Sequence, residues 1–561
     1  MKRGVLKSPS VLASSAIVVT SFLVFASQQN TKSVEALSTP SLLNRSTHSL
    51  LVAANRPSTA LAAEKRPGNP FSTLIGDMAS SIASTVTGAG NASGDLSSLD
   101  AKLDSLVSTS WDDIRKDLES KQTAEEKAFR SNVEKGIGAA SPLNKIRLFD
   151  ESNKEEDIRV TFYRDSASWC PYCQKVWIFL EEKKIPYKLE KINMRCYGEK
   201  PASFQRLQPS GAIPVAIIDG TVYNQSNDII YTLEQLFQDK SHKPMLPPQS
   251  DAKKRAKASE LLRLERTLFS AWMYWLTGSS MSKGNFINVL NEVESELHKS
   301  DGDFFLGDDM SLVDCMFAPF LERMAASMVF FKGFQIRVAP GEKTDYPAVN
   351  KWFDAMETKE SYTLTKGCYY SHCWDLPPQL GGCSFEDGSE PYEKAINGDR
   401  LVDGSRGSWE LPLEPHLGGV EPDWEWLGDE EAAKREAVER LSFNSQAIVS
   451  FASRGAGRKG FPSYGAPLSD PNAVPNESAK PSVDACLRLV CASLLNGTDS
   501  IETNLVQIVD DMKKEGGSEH VENVVASLAY LRDRIGVPRD MRLPAARQLR
   551  AHLNYAIEKM L

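Results

Sequence analysis

The 561-residue chain has only nine cysteines, neither dense nor regularly spaced. That excludes a secreted disulfide framework and fits a reducing compartment with one or two reactive thiols. An excess of positive charge is also missing. Lys and Arg number 65 against 74 Asp and Glu, a net charge of −9, so neither nucleic acid nor an anionic membrane is an expected partner. The apolar run from Val11 to Ala26 falls short of the roughly 20 residues that a spanning helix needs. No internal repeat is visible. What is present is ordinary: 41% apolar and 25% charged residues. The length is too great for one core, so two or more domains are expected.

The first residues read as an address. Lys2, Arg3 and Lys7 precede the apolar run and small residues follow it, the order of a signal peptide. Residues 27–63 are rich in Ser and Thr, carry Arg45 and Arg56, and have Glu35 as their one acid, which resembles a transit peptide. Residues 1–63 are therefore expected to be a bipartite signal and transit peptide for a secondary plastid, with Val34 to Leu37 as a first cleavage site. Secretion or an uncleaved anchor is the alternative. The sequon Asn224-Gln225-Ser226 falls in the binding site described below, which weighs against long residence in the secretory lumen. No stable membrane insertion of the mature chain is expected.

Residues 64–150 read as a helical prelude: Phe71, Leu74, Ile75, Met78 and Ile82 have helical spacing, and so do Trp111, Ile114, Leu118 and Phe129 in a helix predicted over 111–135. A Gly/Ser-rich linker from Gly88 to Ser98 separates them. The pattern changes in residues 151–245. Ile158, Val160 and Phe162 alternate with Arg159 and Thr161 as a strand. A loop leads to Cys170-Pro171-Tyr172-Cys173 and a helix with Val176, Phe179 and Leu180 inward and Lys183 and Lys184 outside. Strands near 187–192, 214–218 and 221–223 and helices near 201–207 and 228–237 complete a βαβαββα order, the thioredoxin-like layout. Residues 246–360 read as helical, with a long helix over 251–276, another over 285–299, and a capping box at Ser311 to Asp314 opening a third. Tyr346-Pro347 precedes a short helix holding Trp352 and Phe353. Residues 361–430, rich in Gly, Pro and aromatics, read as irregular, and 431–561 as a helical accessory bundle.

The chemistry sits in the Cys-Pro-Tyr-Cys motif. A helix N-terminus offers unpaired amides and about half a positive charge, so a thiol there is stabilised as the nucleophilic thiolate. Pro171 suits a first turn because it has no amide to leave unsatisfied. Cys170 is expected to face out and attack, with Cys173 one turn further in as a resolving thiol. A zinc half-site needs a second CxxC or CxxH at a usable spacing, and none stands there.

Residues 159–356 resemble the soluble glutathione transferases, most of all the cysteine classes: omega, lambda and dehydroascorbate reductase. The resemblance rests on Cys170 to Cys173, Gly198 to Phe204, Pro209 to Val215, Gln225-Ser226 and Phe305 to Asp314. It implies an α/β thioredoxin-like domain, an all-α glutathione transferase C-terminal domain and, here, an additional mostly helical extension. It also implies glutathione as co-substrate and no metal. Pro214 would be a cis proline exposing the backbone of Ile213 to the cysteinyl backbone of glutathione. Lys200 would meet its glycine carboxylate, and Ser226 its γ-glutamyl carboxylate. Gln225 replaces the acid usual at its place and loses the charge that would meet the γ-glutamyl ammonium.

A cysteine at position 170 implies a mixed disulfide with glutathione, suited to deglutathionylation or dehydroascorbate reduction. The rivals are a prostaglandin-synthase-like isomerase and a non-catalytic glutathione-sensing scaffold. Trp272, Tyr274 and Trp275 read as core rather than as the wall of a second substrate site. Cys368, His372, Cys373 and Cys383 suggest zinc only weakly, and Arg454 to Gly460 reads as a mobile loop. The extension is expected to serve a second copy or a protein partner.

Overall fold

The computed structural model describes residues 96–561 apart from 340, 400–405, 414–419, 423–428 and 465. The expected address over 1–63 and the helix over 71–86 lie outside the described residues.

The described part of the prelude holds three α-helices: α1 (Ser97–Leu106), α2 (Trp111–Lys121) and α3 (Ala124–Lys135). The single helix expected over 111–135 is therefore two. Thr123 breaks it, because its hydroxyl accepts the amide of Glu126 while that carboxylate takes the amide of Thr123, a capping box that starts α3 afresh. Next come β1 (Ile146–Arg147), β2 (Val160–Asp165), α4 (Pro171–Glu182), β3 (Tyr187–Ile192), α5 (Ala202–Leu207), β4 (Val215–Ile218), β5 (Thr221–Tyr223) and α6 (Ser226–Leu236). The strand order is β1-β3-β2-β4-β5, so the expected sheet gains an edge strand. β2 and β3 are parallel, β4 runs antiparallel to β2, and β5 runs antiparallel to β4 and so in the direction of β2 and β3. α4 is buried nearly all round, and Lys183 just past its end is not on the outside as expected. Its ammonium donates to Glu234 and to the carbonyl of Lys243, both at 2.8 Å, which pays for its burial.

The helical half comprises α7 (Ala252–Thr277), α8 (Lys283–His298), α9 (Leu312–Lys332), α10 (Pro347–Glu357) and the single turn α11 (Glu360–Thr363). The capping box at Ser311 and Asp314 forms as expected. Every residue of α9 is buried, including Glu322, Arg323 and Lys332. Trp272 and Trp275 are core residues, donating to Ser327 Oγ and Glu386 Oε1, while Tyr274 faces solvent.

The segment expected to be irregular contains α12 (Tyr369–Leu380) and α13 (Glu390–Ile396). Pro377 and Pro378 lie inside α12; the helix carries on because Tyr369, Tyr370, Cys373 and Leu376 bury one side of it, and α12 packs on α9. The extension continues as α14 (Glu430–Phe443), α15 (Ser445–Ala452), α16 (Lys480–Asn496), α17 (Glu502–Asp533, kinked at Gly517) and α18 (Leu543–Met560). The loop expected to be mobile at 454–460 is packed: a Cβ on Gly457 or Gly460 would run into the backbone of residues 472–475. α1 and α2 pack on α16, α1 also on α17 and α2 on α14, so the two ends of the described chain build one helical body. One apolar core runs from Leu99 through the sheet and α9 to Met560.

Candidate active site

Register brings the candidate residues to one end of the sheet. Asp165 closes β2 opposite Ile192, the last residue of β3, so the 166–170 loop and the 193–200 loop leave the sheet side by side. Antiparallel pairing of Tyr163 with Val215 places Pro214 across from Arg164 at that same end. β5 returns there as well, because Tyr223 pairs with Ala216, delivering Gln225 and Ser226. The Ile213–Pro214 peptide is cis.

Cys170 is the N-cap of α4 and Pro171 opens the helix, as the motif predicts. Cys170 is only 8% exposed, however, and does not face out. The preceding Trp169 packs under the Arg323 guanidinium, 5.1 Å from its ring centroid, and Arg323 donates to the Trp169 carbonyl. The loop is braced from beneath by Arg164, fully buried, whose Nη1 donates to the Asp165 carbonyl and Ser168 Oγ at 2.8 Å. Asp165 Oδ2 accepts the amides of Trp169 at 2.5 Å and Cys170 at 3.1 Å. Burial, a hydrogen bond to Cys170 and the charges of Cys170 and Asp165 push the Cys173 thiol well up, so it stays protonated at neutral pH.

Asp165, Cys170 and Cys173 offer ligand atoms within 4.8 Å of one another, the one such group of three among the described residues. Cys368, His372, Cys373 and Cys383 form no group of this kind: His372 Nε2 meets Glu322 at 2.6 Å, Cys373 Sγ the Ala326 carbonyl and Cys368 Sγ the Ser371 hydroxyl.

Lys200 is half-buried, with Nζ donating to the Asn193 carbonyl at 2.5 Å and its stem against Gly211. Burial lowers its pKa, while the nearby Cys170, Cys173 and Asp165 act the other way. Ile213 is 9% exposed. Ser226 is the first residue of α6, fully buried, with Gln225 as N-cap. Gln225 Oε1 is buried and has no hydrogen-bond partner.

Three residues at this site were not singled out in the sequence. Lys175, two residues beyond Cys173 in α4, donates to Asn227 Oδ1 at 2.6 Å beside Ser226, and burial pushes its pKa down to about 7. Arg323 comes from α9, 153 positions after Cys170, and its guanidinium acts electrostatically on that sulfur. Asp165 falls in the loop expected over 164–169 and was given no role, whereas in the structure it is the last residue of β2. A lysine in the middle of a helix apolar on every side was the one available signal.

A model of the glutathione S-transferase N-terminal domain matches residues 169–236 and one of the C-terminal domain matches 264–355. Glutathione S-transferase L3 of Arabidopsis thaliana is 30% identical over 199 residues, 35% of this chain and 78% of that protein. Glutathione S-transferase DHAR2 of the same plant is 28% identical over 200 residues, 35% of this chain and 84% of that protein. The crystal structure of Chlamydomonas reinhardtii dehydroascorbate reductase aligns with 37% of this chain and 93% of its own, at 20% identity and a TM-score of 0.29. The chain belongs to the glutathione S-transferase family.

Proposed function

We propose that this protein is a glutathione-dependent thiol transferase or reductase acting through a Cys170–glutathione mixed disulfide, on glutathionylated thiols or dehydroascorbate. One observation carries the reading. A cysteine, rather than a hydroxyl residue, caps α4 at the sheet end where Lys200, Pro214 and Ser226 also arrive. Oxygen nucleophiles at that place can only orient the glutathione thiol; a sulfur can bond to it.

In deglutathionylation the Cys170 thiolate attacks the glutathionyl sulfur of the substrate. The substrate disulfide breaks, its sulfur leaves as a thiolate that takes a proton, and Cys170–S–S–glutathione forms. A second glutathione thiolate attacks the glutathionyl sulfur, releasing oxidised glutathione and the Cys170 thiolate. Alternatively Cys173 loses its proton, attacks Cys170 and expels glutathione, leaving an internal disulfide that two glutathiones reduce. As the alternative substrate, dehydroascorbate would take two electrons and two protons from two glutathiones, which leave as oxidised glutathione. Lys200, the Ile213 backbone and Ser226 would hold the tripeptide, with Gln225 beside its γ-glutamyl end.

The test is intact-mass spectrometry after incubation with oxidised glutathione, paired with turnover of hydroxyethyl disulfide and dehydroascorbate. Wild type should take one glutathionyl group, Cys170→Ser none, and Cys173→Ser should accumulate the adduct. Binding of glutathione without adduct or turnover would leave the scaffold reading instead. We also propose that residues 1–63 direct the chain to a plastid, which a fluorescent fusion of residues 1–95 would show or refute.

A further inference from the structure

We infer that the C-terminal extension is a working part of the glutathione site, with Asp375 and Gln379 of α12 as positioning residues for the loop that carries Lys200. This rests on the reading above.

The 193–200 loop has little to hold it from its own domain. Asn193 Oδ1 accepts from Ser166 Oγ at 2.7 Å, Asn193 Nδ2 donates to the Glu199 carbonyl at 3.3 Å, and Lys200 folds back on the Asn193 carbonyl. Gly198 sits at φ 146°, where a Cβ would fall 2.9 Å from Asn193 Nδ2, so the loop is wound tightly on that side chain. The Tyr197 amide donates to the Met194 carbonyl at 2.9 Å and Gln205 Nε2 to the Lys200 carbonyl at 3.3 Å, whereas the side chains of Cys196 and Tyr197 are fixed by the extension. Tyr197 is buried and its hydroxyl donates to Asp375 Oδ1. Gln379, one helical turn on from Asp375, meets Cys196 Sγ and lies 3.9 Å from Met194 Sδ. Arg539, beyond α17, acts electrostatically on both Tyr197 and Asp375. Pro471 lies against Gly198, 3.8 Å from where its Cβ would be.

α12 is in turn locked to α9 beside the nucleophile. His372 Nε2 meets Glu322 Oε1, whose other oxygen accepts from Gln174 of α4 at 2.8 Å. Gln174 Oε1 accepts from Arg323, the residue that holds the Trp169 carbonyl. One helix of the extension thus ties together the loop bearing Lys200 and the start of α4. A buried hydroxyl–carboxyl bond is directional, and its loss leaves a buried polar group unpaired. The extension therefore sets how well Lys200 is placed for glutathione, while the chemistry stays with Cys170.

The experiment uses the full chain. Asp375→Ala should raise KM for glutathione by roughly three- to tenfold with kcat changed less than about twofold, the split expected when binding alone is lost. Asp375→Asn keeps an acceptor for Tyr197 and should restore most of the affinity. Hydrogen exchange of residues 193–200 should quicken in Asp375→Ala and in Tyr197→Phe, with Gln379→Ala as a milder variant should Asp375→Ala fail to fold. Unchanged KM and unchanged exchange in folded variants would overturn the inference, and so would equal loss in Asp375→Ala and Asp375→Asn. Hydrogen exchange needs no turnover. Quickened loop exchange in a wild-type background that takes no adduct at Cys170 would therefore refute the thiol-transfer reading and leave the clamp standing.

Discussion

Asp165 Oδ2 accepts the backbone amide of Cys170 at 3.1 Å, so a carboxylate at the end of β2 fixes the position of the nucleophile. The same oxygen takes the Trp169 amide, and both amides are buried. Asp165→Ala removes their common acceptor and should cost about 2–4 kcal/mol of stability, the scale of two buried donors left unpaired. Asp165→Asn, which still offers an oxygen, should cost less. Urea unfolding read by tryptophan fluorescence measures both, and an Asp165→Ala variant as stable as wild type would remove this role.

Gln225 presents a buried, unpartnered Oε1 where the resemblance expects an acid. Gln225→Glu should lower KM for glutathione by roughly three- to tenfold, because a carboxylate bonded to an ammonium is about twice as strong as a neutral amide. S-methylglutathione binding by calorimetry checks this apart from turnover. A variant that binds more weakly would mean the γ-glutamyl end lies elsewhere.

Cutting the chain after residue 361 should yield an unstable, aggregating product. α9 would lose α12 and the 381–389 turn. Glu322 would lose His372, and Lys332 would lose Ser384 and Glu386. An exposed apolar face of that length drives association. Soluble expression of residues 140–361 beside residues 96–561 decides it; a soluble, sharply melting short form would contradict the shared core.

His552 is buried against Ser493 Oγ at 2.8 Å, and burial with Lys434 nearby pushes its pKa down to about 3. The unfolded chain, near 6.5, takes the proton first. Stability from this group is therefore complete above about pH 6.5 and is lost as pH falls toward 3. His552→Gln should flatten the dependence of Tm on pH over that window.

Asp375 runs the other way. Burial, with Asp165 nearby, pushes its carboxyl up to about 7 from an ordinary value near 3.8, so the folded state holds the proton longer. Its contribution is complete below about pH 4 and is lost as pH rises through 7. The Tm difference between wild type and Asp375→Asn should shrink or change sign across that range, and a constant difference would contradict the assignment.

Local signals settled much of this protein in advance. Alternation in β2, Pro171 after Cys170, and the capping box at Ser311 and Asp314 each act over a few residues, and each element formed accordingly. The candidate residues from Cys170 to Ser226 were likewise legible, because short motifs hold them within one sheet unit. Tertiary structure decided what depends on distant partners. It buried Lys183 by supplying Glu234, turned a Pro-rich stretch into α12 by giving it α9 to pack on, and brought Arg323 to Trp169 and Asp375 to Tyr197. None of these pairings leaves a periodicity, since a buried charge is tolerated only where another segment neutralises it, and that segment's place is set by the fold.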